Sequence, residues 1–147
     1  MQIKSSAFEN NGIIPAKYTC GGESVNPPLE FSGIPAGTQS LVLIMDDPDS
    51  PTGTWDHWIV FNIPSCTNFV HEGKEPDGAH GTGTSGNKDY FGPCPHSGEH
   101  HYCFTIYAID TKLPLYTGAS KDQVLSAMSG HILSQDTLVG LYAKLKP

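Results

Sequence analysis

The sequence predicts a mainly β protein, and three observations carry that expectation. Of 147 residues, 16 are Gly and 12 are Pro, so about a fifth of the chain is turn-forming, which favours many short strands over long helices. Two stretches, His57 to Ile63 and His100 to Ala108, alternate with a period of two, and Ser40 to Met45 is a continuous apolar run of strand length. One helix alone is convincing. The length suits a single domain, residues 1–147, with one sizeable core. No repeat, low-complexity tract or linker marks a second.

Taken in order, residues 7–38 are punctuated by Gly12, Pro15, Gly21-Gly22, Pro27-Pro28, Gly33, Pro35 and Gly37. Short extended pieces between turns fit there and a helix does not. Ser40 to Met45 reads as a strand buried on both faces. In the next strand His57, Ile59, Phe61 and Ile63 share one face, with Trp58, Val60 and Asn62 on the other. Val70 to Asp89, rich in Gly, Asp and Lys, reads as a long surface loop with functional potential. The third strand puts His100, Tyr102, Phe104, Ile106 and Ala108 on one face, opposite His101, Cys103, Thr105, Tyr107 and Ile109. Ser120 with Gln123 forms a capping box, and Asp122 lies in the first turn. Val124, Leu125, Met128 and Ile132 supply the apolar stripe of that helix, which Gly130 weakens or ends. Leu138 to Leu145 returns to a strand-like run.

Charge and composition exclude several function classes. The formal charge is −7 with only 8 Lys and Arg, and the isoelectric point is near 5.3. A nucleic-acid binder needs a basic stripe to neutralise phosphates, and none is visible. No apolar stretch reaches spanning length, and the first residues lack the hydrophobic region of a signal peptide, so the expectation is a soluble, cytoplasmic chain. Cys20, Cys66, Cys94 and Cys103 form no CxxC pair and no zinc-ribbon spacing. Free thiols are the default there. Cys94, inside a Pro/Gly segment, keeps a functional or disulfide role open.

Two segments hold the polar chemistry. Asp47-Pro48-Asp49-Ser50-Pro51 is followed by Trp55-Asp56-His57-Trp58, and Gly92-Pro93-Cys94-Pro95-His96 runs on to His100-His101-Tyr102. Each sets carboxylate, imidazole or phenol groups beside rigid or closely approachable backbone, at the end of an apolar run. Polar groups at strand ends beside loops of fixed shape build small preformed pockets. No native metal is expected. His96 and His100 have H-x3-H spacing, but Pro95 and Gly98 break the helix that would give it meaning. A facial site of Asp47, His57 and His100 is the remaining metal alternative. No Ser lies in a G-x-S-x-G elbow, and Cys94 has no identifiable base. His71, His80 and His131 read as solvated loop or strand-end groups. His57, His100 and Tyr102 instead suit the oxyanion of a phosphate or carboxylate. Asp47 then pairs with a protonated His, shares a proton with the ligand, or receives a ligand ammonium. Such a site fits a phosphorylated or zwitterionic small molecule.

These residues resemble the phosphatidylethanolamine-binding protein family, in its prokaryotic, Raf-kinase-inhibitor-like branch. The likeness runs through Ile14 to Cys20, Asn26-Pro27-Pro28-Leu29, Asp46 to Pro51, Trp55 to Trp58 with Phe61 to Pro64, Gly92 to Pro95, His100 to Tyr102 and Gly130 to Leu133. Two long motifs in the right order make it specific. The resemblance implies an antiparallel β-sandwich with a large central sheet, a smaller sheet and a few peripheral helices. It also implies a small anion pocket without metal or cofactor. Asp47 would be its carboxylate, His57 and His100 its imidazoles and Tyr102 its phenol. Gly92 and Pro93 would form a rigid wall, and Trp55 would flank the mouth. Cis peptides are expected at Ser50-Pro51 and before Thr54. Family members bind phosphate-like groups and phospholipid head groups, and some inhibit kinases or serine proteases. The expected function is therefore non-catalytic binding of a phosphate-bearing or otherwise anionic small molecule, with modulation of a partner enzyme. The rivals are a macromolecular inhibitor acting through loops around Val70 to Asp89, and a phosphoester hydrolase. Two departures lie at the rim: His96 stands where prokaryotic members usually have a second Pro, and Asn87 to Phe91 is short.

Overall fold

The centre of the molecule is the apolar run read above as doubly buried. In the computed structural model, which describes residues 1–144, it is β4 (Ser40–Asp47), flanked by β5 (Trp55–Pro64) and β8 (Glu99–Ile109), both antiparallel to it. Beyond β8 lies β9 (Ile132–Ala143), then β2 (Gly12–Ile13), and beyond β5 lies β7 (Ala79–His80). The β2–β9 edge pair is parallel, so this six-stranded sheet is not wholly antiparallel. A second sheet orders β1 (Gln2–Lys4), β3 (Leu29–Ser32) and β6 (Phe69–Val70), all antiparallel.

The two sheets pack face to face as a sandwich. Ile3, Leu29, Phe31 and Val70 of the small sheet meet Leu41, Leu43, Met45, Trp58, Val60, Tyr102, Phe104 and Ile106 of the large one. The far side of the large sheet buries Val42, Ile44, Ile59 and Phe61 under Val124 and Met128 of the helix α1 (Lys121–Met128). A doubly covered strand has no solvent face, so β4 reads apolar at every position from Leu41 to Met45. On β8 the alternation holds: His100, Tyr102, Phe104, Ile106 and Ala108 are all buried.

The helix follows its predicted start. The Ser120 Oγ accepts from the Gln123 N–H while the Gln123 carboxamide accepts from the Ser120 N–H, satisfying two orphan donors. It ends at Met128, short of the Ile132 that the apolar stripe implied, because Gly130 takes a positive φ of 81°. Ile132 starts β9 instead and is exposed. That strand begins six residues before Leu138, and the end of the predicted run, Leu145, lies outside the described residues. Residues 7–38 include one 3-10 turn, Ala16–Tyr18. The stretch from Val70 to Asp89 is more structured than a surface loop, since β7 pairs with β5 and Thr82 bridges Ser120.

The face assignment on β5 fails, and the register shows why. Leu41 opposes Ile63 while Leu43 opposes Val60, so β5 carries an extra residue at Phe61-Asn62. Asn62 takes φ 54°, a conformation Asn tolerates, and its carboxamide exchanges hydrogen bonds with the Leu113 backbone. Ile63 thereby joins Trp58 and Val60 between the sheets, while Ile59 and Phe61 face α1. A strict period of two puts Ile63 with Ile59.

Candidate functional site

A second irregularity makes the site. Met45 opposes Trp58 and Asp46 opposes Asp56, which leaves His57 as the extra residue of a β-bulge. A bulge bends the strand and re-aims a side chain. Here it turns His57 toward Tyr102, whose ring it meets edge-on with centroids 5.4 Å apart. The His57 Nδ1–H donates to the Phe91 carbonyl at 2.7 Å, which directs the other ring nitrogen away from that contact. The Asn87 carboxamide donates to the His57 carbonyl at 2.7 Å, tying the bulge to the following loop.

Asp47, at the end of β4, and His100, at the start of β8, form a buried pair. His100 Nδ1 lies 2.7 Å from Asp47 Oδ2, and His100 Nε2 lies 3.1 Å from the Ser97 carbonyl. The other oxygen of Asp47 accepts from the Asp49 N–H at 2.8 Å. Both oxygens of Asp47 are therefore engaged. Both nitrogens of His100 face acceptors, an arrangement satisfied in full by a ring with a proton on each. Tyr102 lies beneath, its ring stacked on His100 at 6.3 Å.

These groups line a cavity of about 390 Å³. Asp47, Trp55, His57, His100 and Tyr102 all reach it, with Phe91, Pro95 and Ser97 from one loop and Ser50, Pro51 and Thr52 from the other. The Trp55 indole N–H is buried without a partner among the described residues. Burial holds the His57 imidazole below its ordinary value, and the Phe91 carbonyl and Asp47 only partly offset this. Burial, reinforced by Asp47 and Asp49, pushes the Tyr102 phenol well above its ordinary range, so it stays protonated.

Several expectations are corrected. Gly92 and Pro93 do not line the cavity; they brace it from behind. A Cβ on Gly92 would stand 2.6 Å from the Tyr18 carbonyl oxygen, and the Pro93 carbonyl accepts from the Cys20 N–H at 3.1 Å. Cys20 and Cys94 are not free thiols but a disulfide with Cα atoms 5.4 Å apart, while Cys66 and Cys103 are free. The pairing spans 74 positions, a distance at which spacing along the chain carries no signal. No peptide bond is cis among the described residues, so neither Ser50-Pro51 nor the bond before Thr54 is. The turn closes instead on Gly53 at φ 107°, an angle that glycine adopts without steric cost. Asp47 and His100 engage each other, the Asp49 N–H and the Ser97 carbonyl, while of the His57 ring only Nδ1 is engaged, by the Phe91 carbonyl. Of the two readings offered for His80, solvated loop residue or strand-end group, the second holds: it closes β7, four-fifths covered, and contacts the Lys88 carbonyl. Ser97 and Phe91 were missed because they act through backbone carbonyls, for which residue type gives no signal.

The sandwich and the strand-end pocket define the class of protein, and comparison with known proteins agrees. Residues 4–143 match the family model described as phosphatidylethanolamine-binding protein. The chain is 48% identical over 150 residues to a UPF0098 protein of Methanothermobacter thermautotrophicus, covering 98% of this chain and 99% of that one. A UPF0098 protein of Pyrococcus horikoshii is 46% identical, with 98% and 78% covered. The crystal structure of a phosphatidylethanolamine-binding protein homologue from Chlamydia trachomatis superposes with TM-score 0.95 at 41% identity, covering 98% and 97%. A structure from Escherichia coli, described as a new member of the mammalian PEBP family, gives 0.90 at 27% identity, with 99% and 98% covered. This chain belongs to the phosphatidylethanolamine-binding protein family.

Proposed function

We propose that this protein binds a small phosphate-bearing molecule in the cavity between His57, His100, Tyr102 and Trp55, without turning it over. The observation that carries the reading is the set of polar hydrogens left for a ligand. The Trp55 indole N–H has no partner among the described residues, the Tyr102 phenol stays protonated, and the neutral His57 presents a nitrogen able to take up a proton. An anion in this cavity meets fixed donors rather than bulk water, and charge-assisted hydrogen bonds of that kind are the strong ones. The Asp47 carboxylate opposes the anion less than a bare charge because both its oxygens are already engaged.

His57 sets the expected pH dependence. In the free protein its value lies below 6.5, and a bound anion raises it by favouring the imidazolium. Binding therefore takes up a proton, and affinity rises as pH falls from the raised value toward the lowered one, then levels. Titration calorimetry with O-phosphoethanolamine in two buffers of different ionisation heat measures that uptake. Replacing Tyr102 by Phe is expected to weaken binding at least tenfold, the loss of about 1.5–3 kcal/mol typical of a hydrogen bond to a charged group, and His100→Ala is expected to weaken it by leaving the Asp47 carboxylate unpaired beside the anion. His96→Ala, at the exposed rim, is expected to cost far less. Binding that tightens with rising pH, or survives all three substitutions, puts the anion elsewhere. Steady release of phosphate that His57→Gln abolishes favours the hydrolase instead.

A cytoplasmic location remains part of this proposal, with the Cys20–Cys94 disulfide as its sharpest challenge, since disulfides persist mainly in oxidising compartments. Among the described residues no helix is long and apolar enough to cross a membrane. Alkylation of thiols in intact cells, followed by mass analysis, reads the redox state of this pair where the protein resides.

A further inference from the structure

Away from the cavity, where β7 edges the large sheet, His80 faces more oxygen than one proton can serve. Its Nδ1 lies 3.0 Å from the Lys88 carbonyl, 3.3 Å from Glu75 Oε1 and 3.9 Å from Asp89 Oδ1. The ligand atoms of Glu75, His80 and Asp89 all lie within 4.8 Å of one another. From this geometry we propose that Glu75, His80 and Asp89, with the Lys88 carbonyl as a fourth donor, form a binding site for a divalent transition-metal ion, zinc above all.

The chemistry of the donor set supports it. One imidazole nitrogen with two carboxylates is a ligand set that zinc accepts, at about 2.0–2.2 Å from each atom. Ligand atoms on such an ion stand roughly 3.0–3.6 Å apart. The Lys88 and Glu75 oxygens already meet that spacing against His80 Nδ1. Asp89, whose side chain is 83% exposed, needs only a small swing to join them. Two carboxylates around a neutral ring carry the charge that a dication balances. Hard, oxygen-only ions such as magnesium are less well served by the imidazole.

Glu75 is oriented in advance. The Trp58 indole donates to its Oε1 at 2.8 Å and the Tyr90 N–H to its Oε2 at 3.2 Å. Hydrogen bonds of this outer kind fix a ligating carboxylate and are a regular part of metal sites. They also root the site in the core, because Trp58 is buried between the sheets. A bound ion would clamp both ends of the segment from Glu75 to Asp89. That segment runs directly into Tyr90 and Phe91, whose carbonyl holds His57.

Isothermal titration of the untagged, chelator-treated protein with zinc chloride, and thermal melting with the same salt, test the site. One equivalent of zinc is expected to bind and to raise the melting temperature. Asp89→Asn, an exposed change that leaves the fold intact, is expected to weaken binding at least threefold, and His80→Ala at least tenfold. His101→Ala, which removes a histidine from an exposed carboxylate pair elsewhere, is expected to change nothing. Absence of both heat and stabilisation at millimolar zinc overturns the proposal. Equal binding by the parent protein, Asp89→Asn and His80→Ala overturns it as well, by placing the ion elsewhere.

Discussion

Two neighbouring residues of β8 carry the same chemistry on opposite faces. His100 pairs with Asp47 and His101 with Asp49, and each Nδ1–carboxylate distance is 2.7 Å. The first pair has side chains 11% and 5% exposed, the second 56% and 39%. Identical contacts thus differ in everything that surrounds them. Water screens the outer pair, and exposed ion pairs are worth roughly 0–1 kcal/mol. The inner pair is held in a setting where its loss leaves a polar group buried without a partner. Distance alone says little about what an ion pair does; burial decides whether it builds a site or decorates a surface.

The largest expected effect comes from breaking the inner pair on one side. Asp47→Ala strands His100 and releases the Asp49 N–H, so urea unfolding should show a loss of about 3 kcal/mol, together with loss of phosphate binding. A loss near that of His101→Ala would mean the pocket rearranges to satisfy His100 by other means. Reduction of Cys20–Cys94 comes next. It frees a loop of 74 positions and should cost about 2–4 kcal/mol, seen as a lower urea midpoint with reductant. Ser97, whose carbonyl faces His100, follows Cys94 by three residues, so ligand affinity should fall with it.

A pH series sharpens the contrast further. Burial depresses the folded His57 value below 6.5, so below the unfolded value the unfolded chain takes up a proton that the folded chain refuses. Its contribution is thus fully present above about pH 6.5 and is lost as pH falls through the folded value. His57→Gln should remove that part of the slope below about pH 6.5 in urea midpoints. An unchanged slope would assign the acid sensitivity to other groups. On the outer face, backbone and side-chain hydrogen bonds from His101 hold Asp49 below its ordinary value, and this stability is lost only as pH falls below about 4. The smallest effect is expected from His101→Ala: below about 0.5 kcal/mol, and vanishing in high salt.

How much was legible beforehand follows from what each signal measures. Periodicity along β8 put His100 and Tyr102 on one face, and the capping box at Ser120 located the start of α1. Those are local properties, decided within a turn or a few residues by backbone geometry and caps, and the residues themselves determine them. The apolar run of β4 likewise announced a strand covered on both sides. The residue types at Asp47, His57 and His100 singled out polar groups that the fold then brings to one cavity.

What only the tertiary structure decided is wherever regular geometry stops or distant segments meet. Two bulges on β5 rotate His57 and Ile63 away from the faces that alternation assigns them, because an inserted residue shifts the phase of a period-two pattern and leaves no compositional mark. The three short strands of the second sheet are too brief to show a period. Cys20 finds Cys94, and Glu75 finds His80 and Asp89, across chain separations that the fold alone closes. Local pattern specifies the orientation of a side chain on its own element; which groups share a site depends on how those elements pair and pack.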